Sequence, residues 1–174
     1  MKLKIFSLIL LLIISCTPFS REVIKESKKD VNLSDVVKNP EKYKGELIIW
    51  GGVIVETISK PDETLIIVRQ TELDFEKRPE NLDKSAGRFM IQYQGFLDPV
   101  IYSKGREVTV AGTIAGTEER AIGEHRYIYP IVKAREIHLW EKITPQYYYD
   151  PWLYRDPFLY PWFNYPYFPY RPYP

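Results

Sequence analysis

The stretch ELIIWGGVIVETI, residues 46–58, decides the fold of this chain of 174 residues. Its β-branched and aromatic residues are typical of a strand, but both faces of that strand are apolar. Gly51 and Gly52 in its middle relieve the steric limits on bending. We therefore expect one strand that bulges or curls, so that it serves two parts of a barrel.

Five further segments supply strand material. ETLIIVRQT (63–71) follows the turn-forming cluster Lys60-Pro61-Asp62-Glu63, which predicts a hairpin. RFMIQYQG (88–95) alternates apolar and polar residues, and REVTVAGTIAG (106–116) places Val108, Val110, Gly112 and Ile114 on one face and Thr109, Ala111 and Thr113 on the other. HRYIYPIVKA (125–134) and REIHLWEK (135–142) come last, with Pro130 at an edge or a bulge.

Two segments predict helical turns. In NLSDVVKNPEKYKG (32–45), Asn32 or Ser34 caps a short helix that turns Val36 and Val37 inward, and Asn39-Pro40 interrupts it. Asp98-Pro99 resembles a helix start, and one or two turns fit before Lys104-Gly105.

Short strands separated by turn signals indicate a mainly β fold. We expect five or six strands and one or two short helices in a domain over residues 33–143. Closing the sheet removes edges that invite aggregation, so a small closed or partly open antiparallel barrel of the oligonucleotide/oligosaccharide-binding (OB) type is the first prediction. A small open sandwich is the alternative. Gly51, Gly52, Gly112 and Gly116 are expected to permit bends and close backbone crossings.

The amino terminus has the layout of a secretory signal peptide over residues 1–15. Lys2 and Lys4 precede an apolar run over residues 5–14, interrupted by Ser7, that is too short to span a bilayer. Ile13-Ile14-Ser15-Cys16 resembles a bacterial lipobox. Cys16 is then the lipidated first residue of the mature chain, with palmitate as an acyl group, and residues 16–32 are the lipidated terminus and a polar tether.

Other roles for this cysteine are an incidental residue in an ordinary cleaved signal, or a nucleophile in a terminus without a fixed base. Cys16 is the single cysteine of the chain, so it cannot form an internal disulfide. Thr17 rather than Asp follows it. An Asp at that position is typical of enteric lipoproteins retained in the inner membrane, so we expect anchoring in the outer membrane, with its lipid as the first partner.

The charge balance and reactive residues argue against nucleic acid binding and catalysis. Removing Lys2 and Lys4 leaves 22 basic residues (24 minus 2) against 23 acidic ones, so no net positive field favours nucleic acid or an anionic membrane surface. His125 and His138 lack metal-ligand spacing, and His138 fits a half-buried sheet position. Glu118, Glu119 and Glu124 are expected to be solvated at a turn. We predict no catalytic residue, cofactor or metal.

Two alternatives to a non-catalytic lipoprotein belong to other classes. A periplasmic hydrolase would use His125 and Glu124 in one pocket. A soluble OB-type ligand-binding protein would use an exposed aromatic such as Tyr93 or Tyr127 to stack on a sugar or base, unless these rings belong to the core.

The tail over residues 144–174 is rich in Tyr, Trp and Pro. It contains the near-repeat DPWLY (150–154) and DPFLY (156–160), and its prolines exclude helix and central strand. Tyr and Trp favour a membrane interface. Alternatives are a contact to glycan or another envelope protein, or a tail collapsed on the barrel. The candidate contact residues are Trp152, Tyr154, Phe158, Tyr160 and Trp162.

Several of these segments together resemble a known family. WGGVIV, GRFMIQYQGFLDPVIYSKGREVTVAGTIAGTEE, IGEHRYIYPIV and IHLW are similar, from about Tyr43 to Trp140, to the Slp family of starvation-inducible outer membrane lipoproteins. The resemblance implies a mainly β lipoprotein of the cell envelope without an established activity, cofactor or catalytic residue.

Overall fold

The structure, a computed structural model, describes residues 17–142. Its three short helices are α1 (Arg21–Glu26), α2 (Leu33–Lys38) and α3 (Pro40–Tyr43). Its strands are β1 (Leu47–Ser59), β2 (Glu63–Leu73), β3 (Pro79–Glu80), β4 (Gly87–Gln94), β5 (Glu107–Ile122) and β6 (His125–Leu139). The prediction of a mainly β fold is confirmed.

Five of the strands close into a barrel. Their order is β1-β5-β6-β4-β2, and pairing of β2 with β1 completes the ring, while the two-residue β3 adds to β2. The predicted OB-like closed barrel is therefore confirmed, and the sheet is not an open sandwich. One pair differs from the expected antiparallel pattern, because β4 and β6 run parallel at Met90–Gln92 and Ile131–Lys133.

Strand β1 belongs to two parts of the barrel, as its sequence predicts. Residues 47–53 pair with β5 and residues 51–59 pair with β2, with a register shift between Ile54 and Glu56. A Cβ atom on Gly52 would collide with the Arg69 carbonyl oxygen, and one on Gly51 would lie 2.7 Å from Thr109 Oγ1. The two glycines thus let β1 approach both neighbours where it changes partner.

The long β5–β6 hairpin bends at further glycines. A Cβ atom on Gly112 would collide with the Lys133 carbonyl oxygen, and Gly116 has a φ of 142° beside the register shift after Ile114. Pro130 pairs with Thr117 next to this irregularity, immediately before β6 meets β4. The predicted position of this proline beside a bulge is confirmed.

The barrel interior holds the main apolar core. The Trp50 and Phe89 rings pack edge to face with centroids 5.4 Å apart, and the Trp50 indole N–H donates to the Val31 carbonyl oxygen over 3.1 Å. Helix α2 adds Leu33 and Val36 to this core. The two predicted helical turns between residues 32 and 45 are α2 and α3, separated at Asn39-Pro40 as expected.

The segment predicted as a tether is partly bound to the barrel. Phe19 and Val23 are buried and pack on Ala111 of β5, so α1 covers the outer face of β1 and β5. The structure differs from the prediction here because Phe19, just before the N-cap Ser20, and Val23, inside α1, both bury their side chains against the barrel. Residues 19–27 therefore belong to the folded unit.

The loop between β4 and β5 forms one turn at Asp98-Pro99, within the one or two turns that the sequence predicts. The Asp98 carboxylate accepts from the Val100 N–H over 2.8 Å, and the Asp98 carbonyl oxygen accepts from Tyr102. The Gly105 N–H then donates to the Ile54 carbonyl oxygen, which ties the loop to β1 before a helix can extend. Leu97 packs against the core from this loop.

The crossing at Gly52 generates the first prediction. Substituting Gly52→Ala forces strands β1 and β2 apart and should lower the free energy of unfolding by about 3 kcal/mol or more. Gly45→Ala is the matched control, since a Cβ atom there meets nothing within 4 Å and the positive φ costs about 1 kcal/mol. Urea titration followed by circular dichroism measures both, and equal losses would contradict the crossing constraint.

Candidate functional site

The outer face of β2 and β4 is where OB-type barrels commonly hold their ligands. In this chain, that face carries Leu65, Ile67 and Met90, which are 3%, 6% and 0% exposed. Val55 and Ile58 of β1, Ile122 of β5, and Tyr127 and Tyr129 of β6 pack into the same cluster. The protein's own side chains therefore fill the surface that a bound sugar or base would need.

Tyr127 is part of this filling. Its ring packs edge to face on Tyr129 with centroids 4.8 Å apart, and its hydroxyl accepts a hydrogen bond from the Arg88 N–H over 2.8 Å. Because neighbouring residues hold both the ring and the hydroxyl of Tyr127, this side chain has a structural role. The sequence suggested that Tyr127 either stacks on a ligand or belongs to the core. The structure shows that it packs in the core.

Tyr93 lies elsewhere on β4 and is half-buried. Burial raises the pKa of the neighbouring Tyr102, and the nearby Tyr93 adds to this effect. The structure does not place Tyr93 beside Tyr127 in one open aromatic groove, because the cluster on the β2–β4 face includes Tyr127 and not Tyr93.

A cavity of about 350 Å³ lies between the α1–α2 segment and the barrel wall. This volume is near the lower end for small-molecule sites. Ile49, Trp50 and Leu73 supply apolar surface, and Lys28, Lys29, Lys77, Gln70, Thr71 and Glu72 supply polar groups. Lys28 is already paired with the Glu46 carboxylate. The arrangement suits a small ligand with an apolar part and a negative charge.

The sequence patterns did not predict this cavity. Its residues come from α1, the α1–α2 connection, two strands and the β2–β3 loop, which meet only after the barrel closes. The available signal was the pair of apolar residues Phe19 and Val23, which hold this segment on the barrel so that residues 24–33 form one cavity wall.

The hydrolase alternative is not favoured by the geometry. Glu124 and His125 are exposed at the tip of the β5–β6 hairpin, and neither lines the cavity. Glu119 pairs with Arg126 at 3.4 Å and Glu118 pairs with Arg120 on the same hairpin. Glu118 and Glu119 thus form surface ion pairs. Together with Glu124 and His125, they do not converge on a point where a substrate could react.

His138 is the half-buried sheet residue that its sequence predicts. Its ring lies edge-on to Trp140 with centroids 4.5 Å apart, and burial lowers the pKa of its imidazole. In the folded protein its neutral form is favoured, which is the ordinary result of packing a histidine against apolar surface.

Glu63 at the start of β2 also has a structural role. The pKa of Glu63 is lowered by hydrogen bonds from Lys60 and from Gln92, whereas a general acid at neutral pH needs a raised pKa. Within residues 17–142, no group of three or more His, Cys, Asp or Glu side chains could hold a metal ion.

The remaining predicted site residues lie outside the described part of the chain. These are the lipidation residue Cys16 and the tail residues Trp152, Tyr154, Phe158, Tyr160 and Trp162. Among the helices of residues 17–142, none has the length and apolar character needed to cross a bilayer.

The hydrogen bond of Tyr127 generates the second prediction. Tyr127→Phe leaves the Arg88 N–H without its acceptor and should destabilise the protein by about 1–2 kcal/mol. Tyr93→Phe is the matched control and should change stability by less than about 0.5 kcal/mol, because the described residues offer its hydroxyl no hydrogen-bond partner. Urea midpoints of the two variants test this, and a neutral Tyr127→Phe would show that the hydroxyl is free for a ligand.

Comparison with curated proteins finds relatives in two bacteria. The chain is 31% identical over 127 residues to the uncharacterized lipoprotein YeaY of Escherichia coli, a match that covers 71% of this chain and 65% of YeaY. It is 28% identical over 131 residues to the outer membrane protein Slp of E. coli, covering 74% and 69%. An uncharacterized protein of Haemophilus influenzae is 35% identical over 95 residues, covering 54% and 51%. The chain thus spans just under two thirds of YeaY.

The family comparison covers more of the chain than the motifs do. The sequence model of the outer membrane lipoprotein Slp family matches residues 13–173, which includes the lipobox-like tetrapeptide, the barrel and nearly all of the aromatic tail. The resemblance noted from residues 43–140 is confirmed, and so is the expected place in the outer membrane. The chain belongs to the outer membrane lipoprotein Slp family.

Proposed function

We propose that the protein is anchored to the outer membrane through lipid on Cys16 and acts there as a non-catalytic binding or structural module. The observation that carries this proposal is Ile13-Ile14-Ser15-Cys16, which ends a short apolar run at the start of the region matched by the family. A branched residue three positions before the cysteine and a small residue directly before it suit lipidation and cleavage.

The absence of catalysis is supported by where the ionisable groups lie. In residues 17–142, Glu63, Glu107, Glu118 and Glu136 are engaged by neighbouring donors, and His138 packs on Trp140. These contacts hold the side chains in place within the fold, so they do not converge on an open site where a substrate could react.

A binding role for the barrel has one supporting feature, the cavity beneath the α1–α2 segment. Its apolar wall and lysine rim are compatible with a small amphiphilic anion. The filled face of β2 and β4 disfavours an oligonucleotide or oligosaccharide in the usual OB position. A structural role in the envelope needs neither site.

For the tail, we favour contact with the membrane interface over contact with glycan or an envelope protein. Trp152, Tyr154, Phe158, Tyr160 and Trp162 combine apolar rings with, in four of the five, a polar N–H or O–H group. Such residues are enriched where hydrocarbon meets headgroups.

Removing the anchor thiol tests the proposal. Cys16→Ser should move the protein from the membrane fraction to the soluble periplasmic fraction, because the acyl chains that hold it at the bilayer lose their attachment site. Cell fractionation with immunodetection measures the change.

Ser15→Ala is the matched control, since it keeps a small residue before the cysteine and should leave the protein membrane-bound. Retention of Cys16→Ser in the membrane fraction would overturn anchoring through this residue.

The tail contact has its own test. In vesicles that contain brominated lipids, Trp152→Ser/Trp162→Ser should remove most of the quenching of tryptophan fluorescence, because bromine quenches rings that lie at the interface. Trp140→Phe, in the barrel, is the control and should leave the quenching in place. Quenching that is unchanged by the tail substitutions would place these rings away from the bilayer.

A further inference from the structure

The barrel begins very close to the proposed anchor. Thr17 and Pro18 are the two residues between Cys16 and Phe19, and Phe19 is 5% exposed against the barrel. Three residue steps reach at most about 11 Å. If Cys16 carries the lipid, which is the proposed function on which this inference rests, the folded unit starts within that distance of the headgroups.

Several contacts fix the chain at this point. The Ser20 N–H and hydroxyl donate to the Glu136 carboxylate over 2.9 and 2.6 Å, and the Ser20 oxygen accepts from the Val23 N–H at the start of α1. Val23 is fully buried. Helix α1 is therefore the first element after the anchor and cannot swing independently of the barrel without losing these contacts.

Helix periodicity determines which charges α1 presents outward. At 100° per residue, Arg21 and Lys25 lie on the face opposite the buried Val23, and both are exposed. Glu22 and Glu26 lie on a different side, where Arg135 of β6 binds them at 3.2 and 2.8 Å. The acidic side chains of α1 are thus paired, while within residues 17–142 Arg21 and Lys25 have no ion-pair partner.

The basic and acidic side chains of α1 therefore lie on different faces of the helix, although the mature chain as a whole is nearly neutral. The outward pair Arg21 and Lys25, here called the α1 face, is a local cationic surface next to the anchor. Screening limits charge effects to about 8 Å at physiological salt, so the near surface matters more than the net charge.

We propose that the α1 face docks on the anionic phospholipid headgroups of the bilayer that holds the anchor. Each basic side chain near such a surface strengthens binding about fivefold, so two give about 25-fold. This gain alone would give only weak binding of a free protein to the membrane. The lipid anchor, however, keeps the α1 face close to the headgroups, so that the high effective concentration makes even a weak contact form for much of the time. The barrel then lies against the membrane in a fixed orientation.

The test uses the full lipidated protein, in which Asp30→Cys provides a labelling site because Cys16 is blocked by lipid. A fluorophore at residue 30 reports docking through quenching by lipids that carry a nitroxide on the headgroup. Quenching should be strong in vesicles of phosphatidylethanolamine and phosphatidylglycerol, and it should fall in phosphatidylcholine vesicles or at 1 M salt.

Charge reversal by Arg21→Glu/Lys25→Glu should lower the docking equilibrium at least about 25-fold. Lys84→Glu/Lys104→Glu changes the net charge equally at two exposed loop positions and should leave quenching unchanged. Arg21→Gln/Lys25→Gln removes the positive charges without introducing repulsion, so it should reduce the quenching by a smaller amount. A loss in this variant cannot be attributed to an effect of charge reversal on folding.

Vesicle flotation separates this proposal from the proposed anchor. If the α1 variants float with vesicles but lose quenching, docking by the α1 face is supported. If the parent protein fails to float, the anchor proposal fails, and docking that depends on it fails too. Equal quenching in the parent and the α1 variants, or equal losses in the α1 and loop variants, would overturn docking by this face.

Discussion

The fold depends on the close approach of β1 to both of its neighbours. Around Gly51 and Gly52 the strand pairs with β5 on one side and with β2 on the other, and the Arg69 carbonyl oxygen occupies the space that a side chain at position 52 would need. Without this approach the sheet would keep two open edges, which are sites of aggregation. Closing the ring also forms the interior that buries Trp50 and Phe89, so both the topology and the main core follow from two residues without side chains.

Closure restricts what the barrel can do. The face of β2 and β4 is filled by Leu65, Ile67, Met90 and the two tyrosines of β6. A cavity of about 350 Å³ lies under the α1–α2 segment. That segment also follows the proposed anchor directly. The proposed anchor, the α1 face and part of the cavity wall therefore lie on one stretch, residues 16–33.

Local patterns in the sequence predicted much of the barrel. Glycines inside an apolar strand, the alternation around Val108 and the turn cluster before Glu63 each report a short-range constraint, and each leads to the observed element. The parallel pairing of β4 with β6 and the cavity could not be predicted, because they arise from contacts between distant segments. One local prediction also failed, because the polar composition of residues 17–32 concealed the buried Phe19 and Val23 that hold this segment on the barrel. Asp98-Pro99 starts one turn, as predicted, and the loop is then tied back to β1 at Gly105. The structural role of Tyr127 could not be predicted either, because its hydroxyl accepts from the Arg88 N–H, 39 positions away in the sequence.

In the proposed arrangement, lipid on Cys16 joins the β-barrel domain to the bilayer. Family membership places the chain among outer membrane lipoproteins, and the position of Cys16 after an apolar run nominates the attachment site. Mass spectrometry of the amino-terminal peptide from membrane-purified protein tests this most directly. The account predicts that the peptide begins at Cys16 and carries a diacylglyceryl group on sulfur and an acyl group on nitrogen. A free thiol at Cys16, or a peptide that still contains residues 1–15, would contradict it.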